Sequence, residues 1–307
     1  MIQEKYRPLI RQLTIPETED RGIFLYISRE DLNHPVMQGN KYHKLKLNLA
    51  AAREEGHNTL LTFGGAFSNH IYATAMAGRH YGFKTIGVIR GEAHNPLNAT
   101  LQAASDAGMI LYYIDREAYR HKYSQDMVVR LQDEFGPFYL LPEGGTNTLA
   151  VEGSRDMVRS LPLHFDIITI SAGTGGSAAG VISGLRPPPG QHTHVIVFSS
   201  LKGDFLKDEI DRLLDAAEVD ANVSWELDTN YHFGGYAKVK PELAAYIKEF
   251  RLAHDIPLEP VYTGKMFFGL TDMIGKGRFT RGQRLLAIHT GGLQGLRGMR
   301  ERYGDVF

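Results

Sequence analysis

The chain contains no cysteine in its 307 residues. That absence excludes disulfides, a thiol nucleophile and thiolate-held metals together, and it leaves the redox compartment open. No apolar run approaches the ~20 residues that a membrane-crossing helix needs, so no membrane partner is expected. Neither sign of charge is in surplus: 34 Lys+Arg against 35 Asp+Glu leave a formal net charge of -1. Nucleic-acid binding driven by bulk positive charge is excluded on that balance. The N-terminal stretch, beginning Met1-Ile2-Gln3-Glu4-Lys5, is charged and has no apolar h-region. It does not read as a secretory signal, and the expected location is the cytoplasm. Tryptophan occurs once, as Trp225.

What is present describes an ordinary globular composition, with 43% hydrophobic and 22% charged residues. Such a chain can bury a sizeable core, in one large or two medium domains. Short β-rich runs alternate with helical stretches. Strands are expected at residues 23–27, 59–63, 85–89, 109–114, 138–141, 166–171, 194–199 and 285–289. Helices are expected at 44–55, 68–81, 97–107 and 115–135. The runs at 166–171 and 194–199 are almost continuously apolar, the pattern of strands buried on both faces. The alternation implies an α/β protein with parallel sheets. The compact strand–helix units ending near Pro142 could form an inserted domain. Gly-Gly pairs stand at 64–65, 144–145, 175–176, 234–235 and 291–292, several of them at strand ends. Ligands of open α/β sheets bind at the carboxyl ends of strands, so the pairs suggest a ligand wrapped by backbone.

Five segments could carry chemistry. The first is Ser171-Ala172-Gly173-Thr174-Gly175-Gly176-Ser177, between a buried strand and a helix. Free N–H groups and the positive end of the helix make such a junction an anion site, most naturally for phosphate. Gly173, Gly175 and Ala178 also fit a dinucleotide fingerprint, but that fingerprint wants an acid at the end of the next strand. Residues 198–202, Phe-Ser-Ser-Leu-Lys, offer none. A tight turn without a ligand is the competing reading. The second segment is Gly39-Asn40-Lys41-Tyr42-His43-Lys44. Lys41 near a helix start could serve as a Schiff-base amine if burial lowers its pKa, and Lys44 lies one turn on, placed to meet a phosphate. Two solvated surface lysines are the plain alternative. The third is Gly64-Gly65-Ala66-Phe67-Ser68-Asn69-His70, either a carboxylate cradle or simply a capped helix start. The fourth and fifth, Pro260-Val261-Tyr262-Thr263-Gly264-Lys265 and Ile288-His289-Thr290-Gly291-Gly292, hold Tyr262 and Thr290, which core or capping roles would also explain. The histidines show no metal-ligand spacing, and no metal is expected.

Taken in order, these segments resemble the pyridoxal-phosphate (PLP) enzymes of fold type II, whose architecture is like that of the tryptophan synthase β chain. Within them they resemble the 1-aminocyclopropane-1-carboxylate (ACC) deaminase/D-cysteine desulfhydrase family. The resemblance also runs through Tyr26-Ile27-Ser28-Arg29-Glu30-Asp31 and Pro142-Glu143-Gly144-Gly145 and covers nearly the whole chain. It implies two open parallel-sheet domains with PLP in the cleft: a large one of residues 1–45 plus 148–307, and a small inserted one of 46–147. It implies that Lys41 carries the cofactor as a Schiff base and that Asn69 bonds the cofactor's phenolic oxygen. Gly173, Thr174, Gly175, Gly176 and Ser177 would hold the phosphate, with Lys44 as a further contact. Lys41, Ser68, Tyr262 and Tyr236 would be catalytic, Thr290 would join the cofactor contacts, and Ser68, Asn69, His70 and Thr263 would stand beside the substrate. A homodimer and a small amino-acid substrate are the family expectation.

Departures from the ACC deaminase pattern bear on substrate. His70 stands where those deaminases have Gln, Thr263 where they have Glu, and Thr290 where they have Leu. The two threonines look like the desulfhydrase side. A carboxylate facing the pyridine nitrogen keeps it protonated and strengthens the electron sink, and a hydroxyl does not. Opening a cyclopropane asks more of the sink than expelling a thiolate. The expectation is therefore α,β-elimination from D-cysteine to pyruvate, sulfide and ammonia. ACC deamination, elimination or racemisation on another β-substituted amino acid, and PLP binding without turnover are the alternatives.

Overall fold

The computed structural model describes residues 6–307. The first five residues of the charged N-terminal stretch, and of the 1–45 segment, lie outside the described residues. Ten strands form two sheets. In chain order they are β1 (Ile10–Leu13), β2 (Phe24–Ser28), β3 (Thr59–Gly64), β4 (Lys84–Arg90), β5 (Ile110–Ile114), β6 (Tyr139–Leu141), β7 (Ile167–Ala172), β8 (Thr193–Ser199), β9 (Val223–Asp228) and β10 (Arg284–Ile288). The larger sheet has the order β1-β2-β10-β7-β8-β9 and the smaller β5-β4-β3-β6. Every pairing is parallel except β1 with β2, where Ile10 faces Ser28 and Leu13 faces Leu25.

The central strands of the larger sheet, β7, β8 and β10, are buried on both faces, as their composition predicts. Leu285 and Ala287 of β10 join Ile196 and Phe198 of β8 in one core, with Phe267 and Leu270 from the helix Thr263–Gly275. The alternate residues Leu286, Ile288, Val195 and Val197 point the other way, onto Val181 and Ile182 of the helix Gly176–Gly184. This period of two, apolar on both faces, marks a central strand covered by helices on each side. The smaller sheet follows the same rule. Leu61, Phe63, Ile86 and Val88 pack with Leu131 on one face, and Leu60 packs with Leu45 and Leu49 on the other.

Three local expectations are corrected. The helix expected from residue 44 starts at Asn40 and runs to Glu54, so Lys41 lies in its first turn. The stretch 115–135 is two helices, Arg116–Arg120 and Gln125–Phe135, because the Ser124 hydroxyl accepts from Met127 N and starts the second one afresh. Strands β1 and β9 have no counterpart in the sequence-based assignment. Both are edge strands, and β9 is mostly half-buried, so neither shows the continuous apolar run of a central strand. Trp225 lies on β9, with the Lys207 ammonium 5.3 Å from its ring centre.

Candidate active site

Strands β3, β7 and β10 end at glycine-rich turns that open onto one cavity of about 640 Å³, together with the first turn of the helix Asn40–Glu54. Gly39 enters that helix at φ 74°, and a Cβ there would lie 2.1 Å from the carbonyl oxygen of Thr290. Asn40 N donates to that same oxygen at 3.1 Å. Only a glycine lets the two backbones meet, and their contact fixes where Lys41 emerges.

Lys41 is half-buried, and its ammonium approaches Gly144 O at 3.4 Å. Burial lowers its pKa from 10.5 to about 8. Lys44 is 1% exposed and donates to Gly144 O (2.7 Å), Thr146 Oγ1 (2.8 Å) and Thr174 Oγ1 (3.2 Å). Burial first, and the neighbouring Lys41 second, push its pKa well down. Among the described residues no carboxylate bridges either lysine. Two clustered cations without an acid call for an anion from outside the chain.

The turn Gly173–Ser177 faces them. The helix Gly176–Gly184 starts after Gly175 at φ 74°, is buried along its whole length and has no side-chain cap. Gly176 N donates to Thr174 O and Ala179 N to Gly175 O, both at 2.9 Å, which leaves the N–H groups of Ser177 and Ala178 for a ligand. Thr174 Oγ1 lies 2.7 Å from Thr146 Oγ1, and Ser177 Oγ accepts from Asn40 Nδ2 at 3.0 Å. A Cβ on Gly176 would meet Thr146 Cγ2 at 2.9 Å and Lys44 Cε at 3.1 Å.

The turn after β3 is built differently. Ser68 Oγ accepts from His70 N (3.2 Å) and Ile71 N (3.3 Å), so it caps the helix Asn69–Tyr81. Asn69 lines the cavity and packs beside Gly292, whose Cβ would fall 3.0 Å from its Nδ2. His70 is 1% exposed, its ring lies against Gly145, and neither ring nitrogen has a partner. Burial, then Lys41 and Lys44, hold it neutral. Thr290 Oγ1 lies 3.2 Å from Ser171 Oγ where β10 and β7 end. Tyr236 and Tyr262 meet edge-on across the cavity, with ring centres 6.1 Å apart. Burial raises the Tyr262 phenol well above its usual pKa, with Tyr236 and Glu259 adding to it, so it stays protonated at neutral pH.

The cavity thus gathers Lys41, Lys44, Ser68, Asn69, His70, Gly173, Thr174, Gly175, Ser177, Tyr236, Tyr262 and Thr290, with Gly176 as the first helical residue behind the turn. Thr263, expected beside the substrate, is not among the lining residues. It is fully buried, and its N–H and hydroxyl both turn to Glu259, the N–H at 2.7 Å. As the first residue of the helix Thr263–Gly275, it is drawn into that helix's cap. Four residues escaped the sequence reading. Thr146 completes the ring of donors around Lys44, and its place just after Gly144-Gly145 was the available signal. Arg90 and Glu143 line the mouth. Glu259 is 2% exposed and accepts from Val261 N, Tyr262 N and Thr263 N at 2.7–2.8 Å. An acid just before a Pro at a helix start was its signal.

These donors fit PLP: a half-buried amine for its carbonyl, an uncapped helix start with Lys44 for its phosphate, and an unpartnered imidazole and a hydroxyl pair for its ring. A model of the pyridoxal-phosphate dependent enzyme family matches residues 3–291. A "putative 1-aminocyclopropane-1-carboxylate deaminase" of Pyrococcus horikoshii is 32% identical over 92% of this chain and 88% of its own length. A mitochondrial "bifunctional D-cysteine desulfhydrase/1-aminocyclopropane-1-carboxylate deaminase" of Arabidopsis thaliana is 29% identical over 90% of this chain and 74% of its own. A solved ACC deaminase homologue superposes with a TM-score of 0.82 at 27% identity, covering 98% of this chain and 94% of that one. With an amine, a phosphate site and a fold that all agree, the chain belongs to the pyridoxal-phosphate dependent enzymes and groups there with the ACC deaminase/D-cysteine desulfhydrase family.

Proposed function

We propose that this enzyme catalyses α,β-elimination on a small β-substituted amino acid, with D-cysteine the leading substrate and pyruvate, sulfide and ammonia the products. The observation that carries this choice is the Thr290–Ser171 hydroxyl pair, 3.2 Å apart at the ends of β10 and β7. Among the described residues lining the cavity, Glu143 is the one carboxylate, and it pairs with Lys122 at 3.2 Å. Hydroxyls rather than an acid would then face the cofactor's ring nitrogen. That gives a weaker electron sink, sufficient for a thiolate leaving group.

PLP, when bound, supplies an electron sink conjugated to the substrate's Cα. Lys41 has the role of holding it and, once displaced by the substrate amine, of taking the Cα proton. Burial lowers the amine's pKa to about 8, which raises the uncharged fraction near neutral pH that a base needs. Lys44, Thr174 and the 173–177 turn bind the phosphate, and Asn69 and His70 orient the ring and the substrate. Ser68 stands beside the substrate carboxylate. Tyr262, a protonated phenol, with Tyr236 against it, meets the leaving group. The Cα–H bond breaks to Lys41, the Cβ–S bond breaks with its electron pair leaving on sulfur, and the released enamine hydrolyses to pyruvate and ammonia.

We also propose that residues 46–147, which hold the smaller sheet, fold as a domain inserted into 1–45 plus 148–307. A cytoplasmic homodimer is proposed on the family alone. The arrangement suits a small amino acid, and among the described residues no helix is long and apolar enough to cross a membrane.

The test is a product assay on PLP-loaded enzyme with D-cysteine, L-cysteine and ACC in parallel. Sulfide and pyruvate from D-cysteine are expected. 2-Oxobutyrate from ACC at a comparable rate would refute the hydroxyl argument. Since Thr263 lies outside the cavity, Thr290→Leu alone should change the ratio of the two activities, and Thr263→Glu should act mainly by lowering stability.

A further inference from the structure

One side chain of the 260–265 motif is unused by the reaction. Lys265 is 1% exposed, and its Nζ donates to the carbonyl oxygen of Gly235 at 2.8 Å. Among the described residues no carboxylate lies within ion-pair distance of it. Glu259, the nearby acid that acts on it through space, spends its oxygens on the backbone N–H groups of Val261, Tyr262 and Thr263. Lysine is almost never fully buried unless paired, and burying its charge is costly. Here the charge is spent on one carbonyl.

That carbonyl belongs to an unusual segment. Phe233 (φ 53°), Gly234 (99°), Gly235 (112°) and Ala237 (52°) all have positive φ. Residues with a Cβ adopt that region rarely, so the surroundings must hold the segment in place. Gly234 N donates to His232 Nδ1 at 2.8 Å, and Tyr303 OH donates to Ala237 O at 3.0 Å. Gly235 O also accepts from Lys238 N at 3.2 Å. Between Gly235 and Ala237 stands Tyr236, which is 46% exposed and reaches the cavity to meet Tyr262. Tyr262 is set by Glu259 at the start of the very helix that carries Lys265.

We propose that Lys265 is a positioning residue: its buried ammonium clamps the strained 233–237 segment so that Tyr236 is held against Tyr262 over the substrate. The clamp rests on the role given to Tyr236 above. It ties both tyrosines to one helix, with Glu259 fixing one and Lys265 fixing the other.

The test uses PLP-loaded enzyme and three variants: Lys265→Met, Tyr236→Phe and the double variant. Removing the clamp should lower kcat by about 10- to 100-fold, the scale of misplacing a catalytic group by about an ångström. KM should change less, and the visible cofactor band and PLP affinity should be retained. In the double variant kcat should be no lower than in the worse single variant, because Lys265 acts through Tyr236. Hydrogen exchange at the amides of 234–238 should quicken at least tenfold in Lys265→Met, and Lys265→Arg should restore much of kcat. If Lys265→Met folds poorly, Lys265→Gln carries the same comparison. Multiplicative losses in the double variant, or unchanged exchange at 234–238, would overturn the clamp while leaving Tyr236 its role. Wild-type kcat in Tyr236→Phe would overturn both.

Discussion

Two strand–glycine–helix junctions face each other across the cavity, and they are finished in opposite ways. After β3, Ser68 satisfies the first N–H groups of its own helix, at 3.2 and 3.3 Å. After β7, no side chain caps the helix Gly176–Gly184, although that helix is buried throughout. A buried helix start without a cap is incomplete until a ligand arrives. On the proposed function the cofactor's phosphate would complete the second junction, and the first is complete without it. The same sequence pattern would then serve a cofactor site in one place and a self-capped rim in the other. Lys44 reaches the unfinished junction, 3.2 Å from Thr174 Oγ1.

The comparison can be broken in several ways, taken from the largest effect to the smallest. Lys41→Ala should cost about 10³-fold or more in turnover and abolish the visible band of lysine-bound cofactor. Wild-type turnover in that variant would remove Lys41 from the site. Next come two glycine substitutions that ought to behave differently. Gly176→Ala drives a methyl toward Thr146 and Lys44, at 2.9 and 3.1 Å, and should weaken PLP binding about tenfold, or roughly 1.4 kcal/mol. Gly64→Ala drives one toward Ile71 Cγ1 at 2.5 Å and Ser68 Cβ at 2.9 Å. It should lower unfolding stability by about 1–3 kcal/mol while PLP affinity stays near wild type. Equal effects on cofactor affinity would erase the distinction between the junctions.

Protonation offers a finer test. Lys41 has its pKa lowered from 10.5 to about 8 by burial. The uncharged amine is the form that attaches to PLP, so the rate of cofactor attachment to apo-enzyme should rise with pH around a midpoint near 8. A midpoint near 10.5 would show that burial does not act on it. The same shift bears on stability. Between about pH 8 and 10.5 the unfolded chain binds the proton that the folded apo-enzyme has shed, so stability rises with pH in that window. Below it both states are protonated and the penalty is full. Apo Lys41→Met should therefore gain melting temperature over wild type at pH 7 and lose that gain as pH approaches 10.5. The smallest effect is the loss of the cap. Ser68→Ala should cost about 1 kcal/mol, read as a Tm lower by about 2 °C, beyond whatever it does to turnover.

Much of the sheet architecture was legible because β7, β8 and β10 are largely apolar through their centres, on both faces, and a strand covered on both faces reads that way. The edges were not legible. β1 and β9 face solvent in part, and pairing alone makes them strands. The phosphate turn could be read from Gly173-Thr174-Gly175-Gly176-Ser177 because its chemistry is local: glycines, hydroxyls and a helix start lie within a few residues. Thr263 was misplaced for the opposite reason. Its neighbourhood in sequence pairs it with Tyr262, but one residue further along a starting helix turns the side chain toward the cap rather than the cavity. Lys265 and Gly235 are 30 residues apart, and no pattern links a lysine to a carbonyl at that distance.

Composition, period and glycine-marked turns by themselves determined an α/β protein with parallel sheets and a glycine-rich strand–helix turn suited to an anion, because each depends on residues close along the chain. Tertiary structure alone decided that Lys44 meets Thr174, that Thr290 meets Ser171, and that Thr263 faces Glu259. The first two contacts join segments brought together only when the sheets close on their shared cavity, the third forms within the turn that opens one helix, and the energies of all three depend on burial that no short stretch of sequence displays.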